Sequence, residues 1–336
     1  MEIVFFQRKG GEGSVSIQES FKPLIEGLSK SNDVSVYNVP YDGSNPFKMF
    51  RNIRFVRKHS TKKGINHITG DINYGILGLF NRISVLTIHD DYPIRTANHG
   101  IIDKIYKWFF WIFLPILLSD VTLCISPATL RNIRKYCPSS KLRLMTHHVV
   151  PSIIYPKRKP FSKNCPQILQ VGTSYQKNLE TTLEVLRGLK CNLMVIQKMS
   201  DEQKKKADEI GINYSNRYYL PYEEVVKEYD QADVVVFPSL FEGLGVPIYE
   251  GQAAGKPVIT TDMEPMNWVA GSGAALLRDP LDVEEYRKVL LRIINDDDYR
   301  NNLVEKGIQN AKRFSLNQAV EKYMALYNSL LETNLK

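Results

Sequence analysis

At 336 residues and 43% hydrophobic content, the chain is long enough for two cores, so two domains of about 150 residues each are expected. Its four cysteines, Cys124, Cys137, Cys165 and Cys191, stand singly, with no Cys-x-x-Cys pair and no histidines at ligand spacing. That pattern argues against structural zinc and for a reduced, cytoplasmic compartment. The net charge of +8 is uneven: residues 1–160 carry 23 Lys and Arg against 11 Asp and Glu, and residues 161–336 carry 21 against 25. A basic first half suits an anionic surface or partner, yet no zinc finger, RNP motif or helix-turn-helix pattern accompanies it, so nucleic acid is not the expected partner.

Apolar, β-rich runs alternate with helical patterns from end to end. In the first half the pattern predicts strands near 2–6, 33–38, 65–69, 84–88, 121–125 and 142–146, and helices near 15–30, 46–60, 101–118 and 127–136. The first strand follows Met1 directly, with no charged and apolar leader, so no secretory signal is expected. The longest apolar run, Trp108 to Leu118, is too short to span a bilayer and contains Pro115. Three prolines and three basic residues between Val150 and Pro160 mark a boundary.

Beyond it, strands are expected at 167–171, 193–196, 233–237 and 257–260, with helices near 177–189, 201–210, 222–231 and 244–254. Helical patterns at 282–295, 298–313 and 316–332 close the chain, the last expected to cross back to the first domain. Strand-helix alternation twice over predicts an α/β protein with two doubly wound, Rossmann-like parallel sheets. The domains expected are 1–150 with 316–332, and 161–315, joined by a linker at 151–160. Ligands of such sheets bind at the carboxyl ends of strands, and a cleft between facing domains is expected.

The most informative stretch is Phe237 to Ile259. A strand stops at Pro238-Ser239, turns through Gly243 and Gly245, and enters a helix whose first N–H groups favour an anion. Glu242 and Glu250 lie eight residues apart, one in the turn and one in the helix, so both can border one cleft. An anion flanked by hydroxyl-accepting carboxylates describes a sugar nucleotide. Strand 167–171 ends in a comparable loop, where Gly172 permits close approach of backbone and Lys177 can reach a phosphate. In the first half, Gly10, Gly11 and Gly13 follow the first strand, and strand 84–88 delivers His89 and Asp90 at its carboxyl end. His67 also ends a strand, where it is either a cleft wall or a satisfied core histidine.

The string from Glu242 to Val258, with Gln252-Ala-Ala-Gly255-Lys-Pro-Val, resembles the Glu-x7-Glu signature of retaining glycosyltransferases of family 4, which have the GT-B fold. The likeness is dense over 167–313 and thinner over 1–150. It implies a metal-independent hexosyltransferase that moves a sugar from a UDP- or GDP-sugar to a glycan or lipid-linked acceptor with retention, in cell-envelope polysaccharide biosynthesis and without a cofactor. Carried over by position, it implies that Glu250 binds the ribose and that Lys177, with Gly172, Thr173 and the backbone at Gly243, Leu244 and Gly245, holds the diphosphate. Glu242 and His89 would face the donor sugar, with Gly10, Gly11 and Gly13 between donor and acceptor. Where the family often has arginine after the loop glycine, this chain has Thr173, and His147-His148 replaces the usual Pro-Asn-Gly before the linker. A nucleotide-sugar 2-epimerase of the same fold and a non-catalytic interaction module are the alternatives.

Two further motifs stand out. Asp296-Asp-Asp298 has the form of an Asp-x-Asp metal motif, but its place between amphipathic helices reads as a helix cap with an acidic first turn. The helix at 46–60 carries Arg51, Arg54 and Lys58 at helical spacing, joined by Arg57, Lys62 and Lys63, while Phe47, Phe50 and Ile53 favour another face. With Lys104, Lys107, Trp108 and Trp111 it makes an anionic membrane face a candidate partner, peripheral and on the inner leaflet.

Overall fold

A computed structural model describes residues 1–9, 16–43, 45–91, 94, 100–147 and 160–334. The chain divides into two compact units, Met1–Val149 with Leu316–Lys336, and Val150–Ser315.

Unit 1 is built on β1 (Glu2–Gln7), β2 (Asp33–Asn38), β3 (Ile65–Ile68), β4 (Ser84–Ile88), β5 (Val121–Cys124) and β6 (Leu142–Leu144). They form one parallel sheet in the order β2-β1-β3-β4-β5-β6. The direction of chain progression reverses between β1 and β3, which defines a switch point. Every residue of β3, β4 and β5 is buried, as expected of strands covered on both faces. The helices are α1 (Ser16–Ser29), α2 (Pro46–His59), α3 (Gly100–Lys107) and α4 (Pro127–Tyr136). Two of them start as sequence rules require: the Asn45 side chain caps α2 with Pro46 next, and Ser126 caps α4 with Pro127 next. The expected helix at 101–118 is one axis in three pieces, because α3 passes into a π-helical stretch, Trp108–Phe113, before a last α-turn, Leu114–Leu118.

The outer surface of α2 differs from expectation. Its buried face is Met49, Asn52 and Val56, while Phe47 and Phe50 are 62% and 56% exposed. The arginines lie on those rings, with the Arg51 guanidinium 4.4 Å from the centre of Phe47 and that of Arg54 5.9 Å from Phe50. Aromatic and basic side chains thus share the solvent face, held by cation–π attraction, rather than occupying opposite faces. The two tryptophans turn inward: Trp108 donates to the Tyr136 carbonyl and Trp111 to that of Asp71.

Unit 2 contains β7 (Gln167–Val171), α5 (Leu179–Leu186), β8 (Asn192–Ile196), α6 (Asp201–Ile210), β9 (Asn213–Arg217), α7 (Tyr222–Gln231), β10 (Val234–Phe237), α8 (Val246–Ala253), β11 (Val258–Thr261), α9 (Met266–Ala270), β12 (Ala275–Leu277), α10 (Val283–Asn295) and α11 (Asp297–Ala311). Its sheet is again parallel and six-stranded, in the order β12-β11-β10-β7-β8-β9, with the reversal between β7 and β10. The sequence pattern missed β9, a polar strand at the sheet edge, and the three-residue β12. Asp296 caps α11 by accepting from the Tyr299 N–H, and Asp297 pairs with Lys163 and Arg300, so this acidic run is a helix start.

The chain then returns to unit 1 as α12 (Leu316–Asn334), whose Ala319, Tyr323 and Tyr327 enter the core formed with Phe5, Phe21, Leu24 and Leu28. This helix decides the role of His67. The ring is fully buried, with Nδ1 2.7 Å from the Tyr327 hydroxyl and Nε2 2.8 Å from Thr87 Oγ1. Burial pushes its pKa down to about 3, and the neighbouring His89 adds to the shift. His67 is therefore a satisfied core histidine and not a cleft wall.

Candidate functional site

Parallel strands place the loops that follow them at one edge of the sheet, and in unit 2 the loops after β7 and β10 are neighbours across the reversal. The β7 loop begins at Gly172, with φ at +104°. A Cβ there would stand 2.5 Å from Lys177 Cγ, so only glycine lets the lysine stem cross the backbone. Lys177 closes a 3₁₀ turn, Tyr175–Lys177, and does not start the α-helix. Asn178, left-handed at φ +58°, separates the turn from α5, which is why the expected helix begins two residues late. Asn178 also ties the loops together, its amide donating to the carbonyls of Pro280 (2.8 Å) and Pro238 (3.3 Å). Leu240 N–H donates to the Gln176 carbonyl at 2.8 Å.

This stitching brings Lys177 Nζ to 2.5 Å from Glu242 Oε1, 65 positions on in the chain, and 4.6 Å from the centre of the Phe237 ring. Gly245 precedes α8 with φ at +100°, and Leu244 is buried beneath it. Pro247 supplies no N–H and Ile248 donates to the Gly245 carbonyl, which leaves the backbone of 243–246 as the source of donors toward an anion. Thr173 turns its hydroxyl to the Lys198 carbonyl at 2.8 Å and so substitutes no cation for an arginine.

Glu250, just over one turn into α8, is 7% exposed. Its oxygens accept from Tyr222 (3.0 Å to Oε1) and Tyr229 (2.8 Å to Oε2), both on α7. Burial pushes its carboxyl up from 4.5 to about 7, against the downward pull of Tyr229 and Tyr222. Sequence reasoning points to Tyr222 only as the end of a candidate nucleobase segment, 217–222, and missed Tyr229 and the contact of both with Glu250, although their seven-residue spacing, two helical turns, puts them on one face. Between β9 and α7, Arg217 pairs with Glu224 and Glu228, while Tyr219 is 92% exposed.

In unit 1, His89 follows β4, which lies one strand beyond the switch point. Its Nε2 is 2.7 Å from the Thr69 carbonyl, which fixes the proton on Nε2 and makes Nδ1 the acceptor nitrogen. Burial holds its pKa below the usual imidazole value; the Thr69 carbonyl and the charges of Asp71 and Asp90 oppose the shift. Gly70, at φ +120°, is required here because a Cβ would meet His89 Cδ2 at 2.5 Å. Arg8, at the end of β1, is paired with Asp71. Gly10, Gly11 and Gly13 lie outside the described residues, as does the linker through residue 159. Among the described residues, no group of three His, Cys, Asp or Glu is placed to hold a metal ion.

Two doubly wound parallel units, with a helix from the chain's end completing the first, define a two-domain α/β protein of the GT-B fold. Sucrose-phosphate synthase from Thermosynechococcus elongatus superposes with a TM-score of 0.78 over 99% of both chains at 16% identity. Anabaena HepE, solved with UDP and glucose, gives 0.78 over 98% of this chain and 100% of its own at 12% identity. Residues 153–310 match the family model for glycosyl transferases group 1. A D-inositol 3-phosphate glycosyltransferase of Corynebacterium urealyticum is 35% identical over 127 residues, covering 37% of this chain and 30% of that relative. The match thus spans about a third of that relative's length.

The raised carboxyl of Glu250 has a measurable consequence. In the unfolded chain it titrates near 4.5, so stabilisation by the neutral form is complete below that pH and is lost as pH rises through about 7. Ionised Glu250 then costs about 3 kcal/mol. Glu250→Gln removes this titration: in scanning calorimetry its unfolding midpoint gains on the wild type by several degrees between pH 4.5 and pH 8. A gap that stays constant over that range contradicts the assignment.

Proposed function

We propose that the chain is a glycosyltransferase that binds a UDP- or GDP-sugar on unit 2 and moves the sugar, with retention and without a metal ion, to a glycan or lipid-linked acceptor. The observation that carries this is the Lys177–Glu242 pair, seated over Gly172 at the reversal between β7 and β10, with Glu250 buried on the adjoining helix. The crevice at such a reversal is where doubly wound sheets bind ligands. The match of residues 153–310 to group 1 glycosyl transferases covers all of these residues.

In this reading the donor diphosphate takes over the Lys177 ammonium from Glu242, and the backbone at Gly243, Leu244 and Gly245 supplies further donors. When the bond between the anomeric carbon and the diphosphate breaks, charge develops on the bridging oxygen, where these fixed donors stabilise it. Glu242, released from its lysine, turns to the donor sugar, and Glu250 holds the ribose. His89, held through Nε2 by the Thr69 carbonyl, is the residue of unit 1 assigned to the donor sugar. The acceptor hydroxyl oxygen forms the new bond to the anomeric carbon on the same face as that bond breaks, and its proton passes to the departing diphosphate oxygen.

The acceptor side is assigned to unit 1, on an anionic membrane face. A shallow groove of about 820 Å³ beside α2 is lined by Tyr41, Phe47, Phe50, Arg51, Arg54 and Lys58, among others. On α3, Ile101, Ile102 and Ile105 are exposed, and the Tyr106 hydroxyl bonds to the Met49 sulfur at 2.8 Å, joining α3 to α2. Exposed apolar side chains beside arginines suit the interface of an anionic leaflet. No helix among the described residues is long and apolar enough to cross a membrane.

Incubation with a panel of UDP- and GDP-sugars, with and without lipid-diphosphate acceptors, is expected to release nucleotide only when an acceptor is present. Lys177→Met lowers that rate by about 10²–10³, and Glu242→Gln depresses turnover more than binding. Acceptor-independent appearance of an isomeric sugar would favour the epimerase, and binding without turnover the interaction module. For the membrane face, wild-type protein partitions onto vesicles containing anionic lipid and not onto neutral ones, and Arg51→Glu with Arg54→Glu abolishes the difference. Equal partitioning of the wild type on both vesicles removes the membrane assignment.

A further inference from the structure

Both oxygens of Glu250 are already engaged, by two hydroxyls projecting from one helix. Tyr222 opens α7 and Tyr229 lies two turns further along the same face. A carboxylate offers about four acceptor positions, two on each oxygen. Each tyrosine occupies one position on a different oxygen, so one remains on each. Two acceptors side by side on a rigid planar group match two adjacent hydroxyls on a ring, and they match a single hydroxyl poorly. Tyr229 is fully buried whereas Tyr222 is half-buried, so a ligand reaches the carboxylate past Tyr222.

The helix that carries Glu250 is held independently of these tyrosines. Gln252 on α8 donates to the Ala270 carbonyl at 2.8 Å and accepts from Asn310 of α11 at 2.7 Å, and Tyr249 stacks on Phe314 at 4.5 Å. Removing a tyrosine hydroxyl therefore frees the carboxylate without releasing α8. Burial and the adjacent carboxylate push both phenols above their ordinary value, so both remain donors over the working pH range.

We propose that Tyr222 and Tyr229 are positioning residues that clamp Glu250 in one orientation, so that its remaining acceptor positions receive the 2′- and 3′-hydroxyls of a ribonucleotide and discriminate against its 2′-deoxy counterpart. This rests on the reading of Glu250 as the ribose-binding carboxylate and adds to it the residues that set its selectivity. Loss of either hydroxyl lets the carboxylate rotate, which weakens binding of the diol and leaves the phosphate end of the site untouched.

Calorimetric titration of the full chain with UDP, 2′-deoxy-UDP, GDP, 2′-deoxy-GDP and inorganic pyrophosphate tests this. The wild type is expected to favour the ribonucleotide by about tenfold or more, the size of one hydrogen bond to a charged group. Tyr222→Phe and Tyr229→Phe each reduce that preference to about threefold, about half of the effect of one such bond being retained by the remaining hydroxyl. Glu250→Gln abolishes it, and pyrophosphate binds all four proteins alike. Should Glu250→Gln lose the preference while both phenylalanine variants keep it in full, the clamp is wrong and the ribose reading stands. Should Glu250→Gln keep it, the ribose reading itself fails. Tyr222 sits at a half-exposed position, so its variant tests the proposal even if Tyr229→Phe does not fold.

Discussion

The pairing of Lys177 with Glu242 is the contact on which the rest of unit 2's site depends. It joins loops that are 65 positions apart in the chain and side by side only because strand order reverses between β7 and β10. Three left-handed positions make it attainable: Gly172 clears the lysine stem, Asn178 ends the 3₁₀ turn, and Gly245 turns the chain into α8. Most side chains at φ near +100° are strained, so glycine at 172 and 245 is a requirement of geometry. The largely buried ion pair also keeps each charge satisfied.

Glu250 follows a different logic in the same crevice. Among the described residues no cation pairs with it; two phenols donate to a carboxyl that burial, in spite of them, pushes up to about 7. The cost of keeping it there is a sign of use, since perturbed carboxyls gather where chemistry or binding needs them. The two carboxylates of one short sequence string are thus prepared in opposite ways, one by charge pairing and one by hydrogen bonding.

Much of this was legible in the sequence. Apolar runs fully buried in parallel sheets, such as Val234–Phe237 and Ser84–Ile88, announce themselves by composition, and the glycine turn at 243–245 with its two glutamates marks the site. What escaped was set by partners remote in sequence. The sequence pattern puts His67 and His89 alike at strand ends; only α12, some 260 positions later, buries the first, which lies within β3, under Tyr327. The edge strand β9 has too few apolar residues to show a period, and the joint hold of Tyr222 and Tyr229 on Glu250 exists only where α8 packs beside α7. The outward aromatics of α2 were misread because cation–π contacts keep Phe47 and Phe50 on the same face as the arginines.

A crystal structure of the full chain grown with UDP or GDP tests the central claim most directly. The account predicts the diphosphate against Lys177 and the backbone of 243–246, Lys177 drawn away from Glu242, and the ribose hydroxyls on Glu250. A nucleotide bound elsewhere on the chain, with the Lys177–Glu242 pair intact, would contradict it.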